Sequence, residues 1–223
     1  MRFIFDNTKT MNYLAHLYLA EDTDESRIGN LLGDFVKGPV ADSPYSPGIR
    51  KGIKTHRKVD VFTDSHKKFL ESKKLISPER RRFAGVILDL TFDHFLAKNW
   101  RSYSDSELGS FTQGVYEMLR ENSSILPVKL VSFLPRMIHE DWLGSYEKLE
   151  GVSLVIERLS KRLERKFNRQ NTLQGAIREI EGNYRELEQN FEEFFPDVIK
   201  YVDNYRNTAT IPAELPAADP ASN

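Results

Sequence analysis

The sequence contains no cysteine, and this absence excludes disulfide bonds and thiolate metal ligands. It also lacks an excess of charge of one sign, because 32 Lys and Arg residues stand against 33 Asp and Glu residues. A near-neutral chain gives no indication of nucleic acid as its main partner. No apolar run approaches the roughly 18–20 residues of a membrane span, and residues 1–10 lack the apolar segment of a signal peptide. We therefore expect a cytoplasmic protein in which any metal is held by His, Asp, Glu or Asn.

Strand-like alternation of useful length is also missing, and apolar residues recur at helical spacing nearly throughout the chain. The pattern predicts an all-α protein with a single helical domain over residues 11–207. Residues 1–10 are expected to be an N-terminal extension, and the Ala-, Pro- and Thr-rich residues 208–223 a disordered tail. Two long amphipathic segments predict a C-terminal antiparallel helix pair that closes the domain. The predicted helices cover about 12–20, 28–36, 49–64, 78–100, 107–120, 128–146, 152–167 and 173–202.

Four of the predicted helices turn a His or an Asp toward the interior, where the apolar pattern calls for an apolar side chain. A buried, unpaired carboxylate is costly and needs a partner or a metal. The economical interpretation is that these groups meet around a cation. Ligands of this kind, without sulfur, suit Mn²⁺, Mg²⁺, Fe or Zn²⁺ and do not choose among them. The residues concerned are His16, Asp34, His56, Asp60, Asp64, Asp89, Asp93 and His94.

Each of these residues has an ordinary structural explanation when it is taken alone. A single buried His such as His16 is more often a hydrogen-bonded core residue than a ligand. Asp34 alone is compatible with a helix cap or an ion pair. The doublet Asp93-His94 is a weak motif, because Asp and His become neighbours by chance in a chain of this composition. The metal site is favoured by the convergence of such residues from separate helices.

The segments with these polar residues form four sequence blocks in a fixed order. The blocks are MNYLAHLYLA at 11–20, GNLLGDFVKG at 29–38, GIKTHRKVDVFTDSH at 52–66 and LDLTFDHFLAKNW at 88–100. Their order and spacing resemble the acyl carrier protein phosphodiesterase family, and the resemblance continues more weakly to about residue 202.

This resemblance implies an activity, a cofactor and a fold. The activity is hydrolysis of the phosphodiester that joins 4′-phosphopantetheine to a serine of holo-acyl carrier protein, which gives apo-carrier protein and 4′-phosphopantetheine. The cofactor is a divalent cation, typically Mn²⁺. The fold is HD-domain-like, as in a class of all-α metal phosphohydrolases with His and Asp ligands.

The resemblance also suggests which residues bind the metal. We predict that His56, Asp60, Asp93 and His94 include the ligands, and that Asp34 is a ligand or the base for the attacking water. The doublet in this chain runs Asp-His, the reverse of the order usual in the HD class. The signature of that class therefore does not assign individual ligands here.

Three further residues receive catalytic or supporting roles. Arg57 is a candidate phosphate clamp, because guanidinium pairs with phosphate oxygens in bidentate fashion. A surface salt bridge explains Arg57 equally well. His16 or Asp64 is expected to contact the metal ligands and fix their orientation without binding the metal itself.

A carrier protein substrate is small and acidic, so we expect a basic docking surface. Basic residues cluster on the predicted third helix and at the start of the next one, beside the proposed site. A further basic run at 158–169 is explained as well by pairing with glutamates of the neighbouring helix. The predicted docking residues are Arg50, Lys51, Lys54, Lys58 and Arg81.

Two other functions are compatible with the same residues. One is an HD-type phosphohydrolase that acts on a nucleotide at the same site. The other is a non-catalytic helical binding module in which the polar cluster is structural. The oligomeric state does not follow from the sequence.

Overall fold

Helices follow one another along the chain. A computed structural model describes residues 13–210, so the predicted extension at 1–10 and residues 211–223 of the predicted tail lie outside the described residues. Within residues 13–210 there is no β-strand, and the helices form a single all-α domain. The α-helices are α1 (Tyr13–Tyr18), α2 (Asp24–Leu32), α3 (Pro47–Ser65), α4 (Lys67–Leu75), α5 (Ala84–Lys98), α6 (Leu108–Glu121), α7 (Val128–His139), α8 (Leu149–Phe167), α9 (Ala176–Gly182) and α10 (Tyr184–Thr210).

The helix predicted from Pro78 begins later than its sequence signal indicates. Ser77 and the residues after it form turns, and the Ser77 amide donates to Glu179 Oε2 at 3.1 Å. Arg80 lies in the same segment, and its guanidinium donates to Glu179 Oε1 at 2.7 Å. These long-range bonds hold the segment against α9, and α5 begins only at Ala84.

The helix predicted over 128–146 ends early, at His139. Asp141 has a φ of 43°, a left-handed conformation that a right-handed helix does not contain. Its carboxylate accepts the Tyr116 hydroxyl at 2.9 Å and the Gly144 amide at 3.1 Å, which stabilises this turn. Residues Gly144–Glu147 then form a 3-10 turn that packs on α5 and α8.

Two facing glycines let α2 and α3 pack closely. A Cβ at Gly52 on α3 would lie 2.7 Å from the Ser26 carbonyl oxygen and 2.8 Å from Gly29 Cα on α2. A side chain at either position would force the helices apart, so the close approach requires glycine. The contact places the end of α2, followed by Asp34, beside the stretch of α3 that carries His56.

The central helix α5 is buried on nearly every side, as expected for a helix that is apolar around most of its circumference. The helix α10 packs on α3, α4 and α5. There Phe191 and Phe194 contact Phe92, with ring centroids 5.5 and 5.3 Å apart. Over residues 13–210, no helix combines the length and the apolar character that crossing a membrane requires.

The second of the two C-terminal amphipathic segments is divided at Asn183. Its first part forms α9, which packs against α8. Its second part is the long helix α10, which runs along α3, α4 and α5. The second helix of the predicted pair is thus two helices, and the antiparallel arrangement of the pair stays a prediction.

Replacement of Gly29 by Ala is expected to lower the free energy of unfolding by about 1–3 kcal/mol, because the added methyl group meets the α3 backbone. Gly114 is a matched control, since it also lies inside a helix but a Cβ there would meet nothing within 4 Å. Gly114→Ala should raise the free energy of unfolding by up to about 1 kcal/mol. Urea titration followed by circular dichroism measures both. A Gly29→Ala variant as stable as the parent protein would contradict the close packing of α2 on α3.

Candidate metal centre

Two histidines and an aspartate from α1 and α3 meet in the interior. His16 Nε2 lies 3.3 Å from Asp60 Oδ1, and His56 Nε2 lies 3.4 Å from Asp60 Oδ2. Each residue offers one ligand atom, and these atoms all lie within 4.8 Å of one another. The imidazoles are buried, whereas the Asp60 side chain is 23% exposed. These three residues have the composition and the spacing of a metal centre that is open on the side of its carboxylate.

A backbone carbonyl fixes which nitrogen of His56 faces this group. His56 Nδ1 lies 2.7 Å from the carbonyl oxygen of Asn30. A carbonyl oxygen only accepts, so Nδ1 carries a hydrogen, and in the neutral ring Nε2 presents its lone pair. That lone pair faces Asp60 and also Asp34, whose Oδ1 lies 3.6 Å away. A lone pair and carboxylate oxygens repel one another unless a proton or a cation lies between them.

Three of the four ring nitrogens of the two histidines are buried without hydrogen bonds. This applies to both nitrogens of His16 and to Nε2 of His56. The two rings stack with their centroids 3.8 Å apart and their planes at 21°. Because an unsatisfied buried polar atom costs about 1–3 kcal/mol, the arrangement needs something to compensate it. A cation bound between the imidazoles and Asp60 fits that need.

Burial and charge shift the pKa values of all three residues. Burial lowers the pKa of His56, but attraction to Asp34 and Asp60 outweighs it and raises the pKa to about 9. Burial and the neighbouring His56 lower the pKa of His16. Burial raises the pKa of Asp60, but the two histidines outweigh it and hold that pKa well below its usual value. An ionised carboxylate beside imidazole nitrogens is what a divalent cation requires of its ligands.

A cavity of about 310 Å³ opens beside Asp60, between the end of α2 and one face of α3. Asp34, Lys37, Arg57 and Asp64 line it as well. Arg57 donates to the carbonyl oxygens of residues 36 and 38, at 2.7 and 2.9 Å, and thereby holds the loop after α2. Asp64 pairs with a lysine of α4 at 2.9 Å. Within this group, Asp60 is therefore accessible from solvent through a cavity with both acidic and basic walls.

Asp93, one of the predicted ligands, is engaged elsewhere. Its two carboxylate oxygens accept the backbone amides of Leu14 and Ala15, at 3.0 and 2.9 Å. These amides belong to the first turn of α1 and have no partner within the helix. Burial raises the pKa of Asp93 to about 8, although the two amides act in the opposite direction. Asp93 thus caps α1, the helix that carries His16, and we leave it out of the ligand set.

His94, the other half of the doublet, is fully hydrogen-bonded. Its Nδ1 lies 2.8 Å from the Tyr146 carbonyl oxygen, so Nδ1 donates. Its Nε2 lies 2.7 Å from the Tyr184 hydroxyl, which donates to it. A neutral imidazole satisfied at both nitrogens has no lone pair left for a metal. The structure thus places His94 in a link between α5, α10 and the turn before α8, and not in the metal centre.

Asp89 is the acid that sequence reasoning noted but did not include among the site residues. It is buried on α5, one turn before Asp93. Burial and the charges of Asp60, Asp93, Asp64 and Asp34 raise its pKa well above the usual value. Asp89 therefore lies within electrostatic range of Asp60, and its surroundings favour the protonated form. Its spacing from Asp93 pointed to a shared helix face, but nothing in the sequence showed what either acid meets in the fold.

Several of the predicted docking residues have partners in the fold. The guanidinium of Arg50 donates to the Ala41 carbonyl oxygen at 3.1 Å, and Lys51 pairs with Glu21 at 2.9 Å. Lys54 and Lys58 are exposed on α3. The last one, Arg81, is also exposed, in the 3-10 turn that leads into α5.

The fold and the site define an all-α protein with a buried histidine–carboxylate group that fits a divalent cation and opens into a cavity. The family model for acyl carrier protein phosphodiesterase matches residues 11–198. Relatives named acyl carrier protein phosphodiesterase include proteins of Serratia proteamaculans and Photorhabdus laumondii. The first is 35% identical over 191 residues, which are 85% of this chain and 96% of the relative. The second is 32% identical over 195 residues, which are 87% of this chain and 96% of the relative.

A Pectobacterium atrosepticum protein of the same name is 33% identical over 191 residues, 85% of this chain and 96% of that protein. No solved structure matches the chain. The match to the family model and the extent of these similarities show that the chain belongs to the acyl carrier protein phosphodiesterase family.

The contrast between His56 and His94 gives a test of the metal centre. Calorimetric titration with Mn²⁺ should show binding to the parent protein, and His56→Ala should weaken it by at least about 100-fold because a ligand is lost. His94→Ala should bind Mn²⁺ as the parent protein does, although it is less stable because the Tyr146 carbonyl and the Tyr184 hydroxyl lose their partner. Loss of Mn²⁺ binding in folded His94→Ala, or its retention in His56→Ala, would contradict this assignment.

Proposed function

We propose that this protein hydrolyses the phosphodiester between 4′-phosphopantetheine and the serine of holo-acyl carrier protein, releasing apo-carrier protein and 4′-phosphopantetheine. Membership of the acyl carrier protein phosphodiesterase family supports this substrate. The chemistry is supported by one observation above all: a neutral His56 would aim its Nε2 lone pair at two carboxylates. That geometry suits a cation, and hydrolysis of an anionic diester needs one.

We propose His16, His56 and Asp60 as the residues that hold the metal, which we take to be Mn²⁺. A divalent cation supplies two things to this chemistry: it neutralises phosphate oxygens and acidifies a bound water. Asp89 is a further candidate ligand, because a nearby cation would favour its ionised form and so oppose the effect of burial. The ligand set would then come from α1, α3 and α5.

The other residues of the cavity position the substrate and the water. Asp34 lies beside His56 Nε2 and lines the cavity, where its carboxylate can accept a proton from the attacking water. Arg57 also lines the cavity; two of its donor atoms hold the loop after α2. The fixed guanidinium would present its remaining N–H groups toward a phosphate. Asp64, paired with Lys73, helps to shape the opening.

We also propose an HD-domain-like arrangement for the site. An all-α domain with His and Asp ligands from separate helices supports this interpretation. The His–Asp pair of this chain is not the doublet Asp93-His94. We assign it to His56 and Asp60, which are four residues apart on one face of α3.

The proposed reaction is tested by incubation with holo-acyl carrier protein and Mn²⁺, followed by intact-mass measurement. The parent protein should convert the carrier protein to its apo form. Asp60→Asn and Asp34→Asn should each lower the rate by at least about 100-fold, because one removes a ligand charge and the other the base.

Asp197→Asn is the matched control for these variants. Asp197 is an acid on α10 that is 61% exposed and pairs with His66, so its loss should leave the rate unchanged. Helicity by circular dichroism should be the same in all four proteins. Full activity of both Asp60→Asn and Asp34→Asn would overturn the site, and an unchanged carrier mass with the parent protein would overturn the function.

A further inference from the structure

The position of the scissile bond restricts where a carrier protein can dock; this argument rests on the proposed function. The phosphodiester is attached to a serine of the carrier protein itself, so the carrier surface around that serine must reach the opening of the cavity. The docking surface must therefore begin at the residues that line this opening. Lys37 is one of them, and its side chain is exposed.

The segment that contains Lys37 leads directly to α7. Phe35 contacts Phe133 of α7, with ring centroids 6.5 Å apart, and Phe133 in turn stacks on Trp142. Lys129 lies one turn before Phe133, on the same side of α7, and is exposed. The basic rim of the cavity thus continues onto the N-terminal end of α7.

Helix α8 adds two more basic residues beside α7. Arg158 Nη1 donates to Glu140 Oε2 at 2.6 Å, which ties α8 to the C-terminal end of α7. Arg162 and Lys166 follow Arg158 at one-turn intervals on the same face of α8 and are exposed. We define the basic patch as Lys37, Lys129, Arg162 and Lys166.

The positively charged residues of the basic patch repel one another. Burial lowers the pKa of Lys129, and repulsion from Arg162, Lys166 and Lys37 lowers it further. Like charges from three separate elements are therefore held within electrostatic range of each other. Arg162 also acts on Tyr13, which in turn lies within range of Asp34.

An exposed apolar residue lies next to the basic patch. Val128, adjacent to Lys129, is 86% exposed at the start of α7, and Val131 one turn later is 37% exposed. An apolar contact surrounded by charges is the usual composition of a protein-docking surface. A small anionic substrate would not require this apolar contact.

We propose that the basic patch, together with Val128, docks the acidic face of the carrier protein and brings its modified serine to the cavity. The basic run on α8, which internal ion pairing explained equally well from sequence, becomes part of this surface. The sequence-predicted surface on α3 is the alternative. There Lys54 and Lys58 are exposed in the same way, but neither lines the cavity, whereas Lys37 of the basic patch does.

A matched pair of double charge reversals separates the two surfaces. The variants are K129E/K166E in the basic patch and K54E/K58E on α3, all at exposed positions on helices. Lys37 is left unchanged because it lines the cavity. The first measurement is calorimetric binding of apo-carrier protein, which has no scissile bond and so does not depend on turnover. The second is the rate of hydrolysis of holo-carrier protein, with thermal unfolding as the control for folding.

K129E/K166E should weaken binding of apo-carrier protein and raise KM for the holo form by about tenfold or more at low salt, with kcat unchanged. The difference from the parent protein should shrink at about 0.5 M salt, because screening weakens exposed charge pairs. K54E/K58E should bind apo-carrier protein and hydrolyse the holo form as the parent protein does.

Three results would overturn the assignment. They are the absence of carrier binding to the parent protein, unchanged binding by K129E/K166E, and a loss in K54E/K58E as large as that in K129E/K166E. A parent protein that binds the carrier through the basic patch but does not hydrolyse it would overturn the proposed function and leave the docking surface in place.

Discussion

The hydrogen bond from His56 Nδ1 to the Asn30 carbonyl oxygen is the interaction on which the site depends. It sets the tautomer of the neutral His56 ring, in which Nε2 would direct its lone pair at Asp34 and Asp60. The bond forms only because α2 and α3 approach closely at Gly29 and Gly52. A helix contact made by two glycines thereby determines the chemistry of an imidazole one turn further along α3. Helix packing and the proposed metal centre are joined here through one backbone carbonyl.

The positions of His16, His56 and Asp60 could be predicted from the sequence, because each interrupts an apolar helix face. The same signal picked out Asp93 and His94, which serve the fold. Periodicity shows that a polar side chain points inward, but it does not show what it meets there. The partners of His94 are the carbonyl of Tyr146 and the hydroxyl of Tyr184, 52 and 90 residues further along the chain. Contacts between residues so far apart along the chain are set by tertiary packing, which sequence periodicity does not reveal.

The all-α class followed from the sequence, and helix ends were less predictable for a related reason. Long-range bonds to Glu179 hold the residues after Ser77 in turns, and the left-handed Asp141 ends α7 with the help of Tyr116. Neither the bonds to Glu179 nor the bond between Tyr116 and Asp141 can be predicted from residues close in sequence. The last amphipathic segment is likewise divided at Asn183 because its two parts pack on different elements. The first part, α9, packs on α8, and the second, α10, packs on α3, α4 and α5. Local patterns predicted which residues are buried, and tertiary contacts decided where each helix stops.

The cap that Asp93 forms on α1 has a consequence for how the site is held together. Helix α1 has six residues, too few to be stable in isolation, and its amides are bound by a carboxylate 78 and 79 residues away. Detachment of such an element from the domain would remove His16 from the site. An ion shared by His16 of α1 and Asp60 of α3 would oppose that detachment by mass action. Retention of the ion and protection of the α1 amides from hydrogen exchange would then be two measures of a single equilibrium.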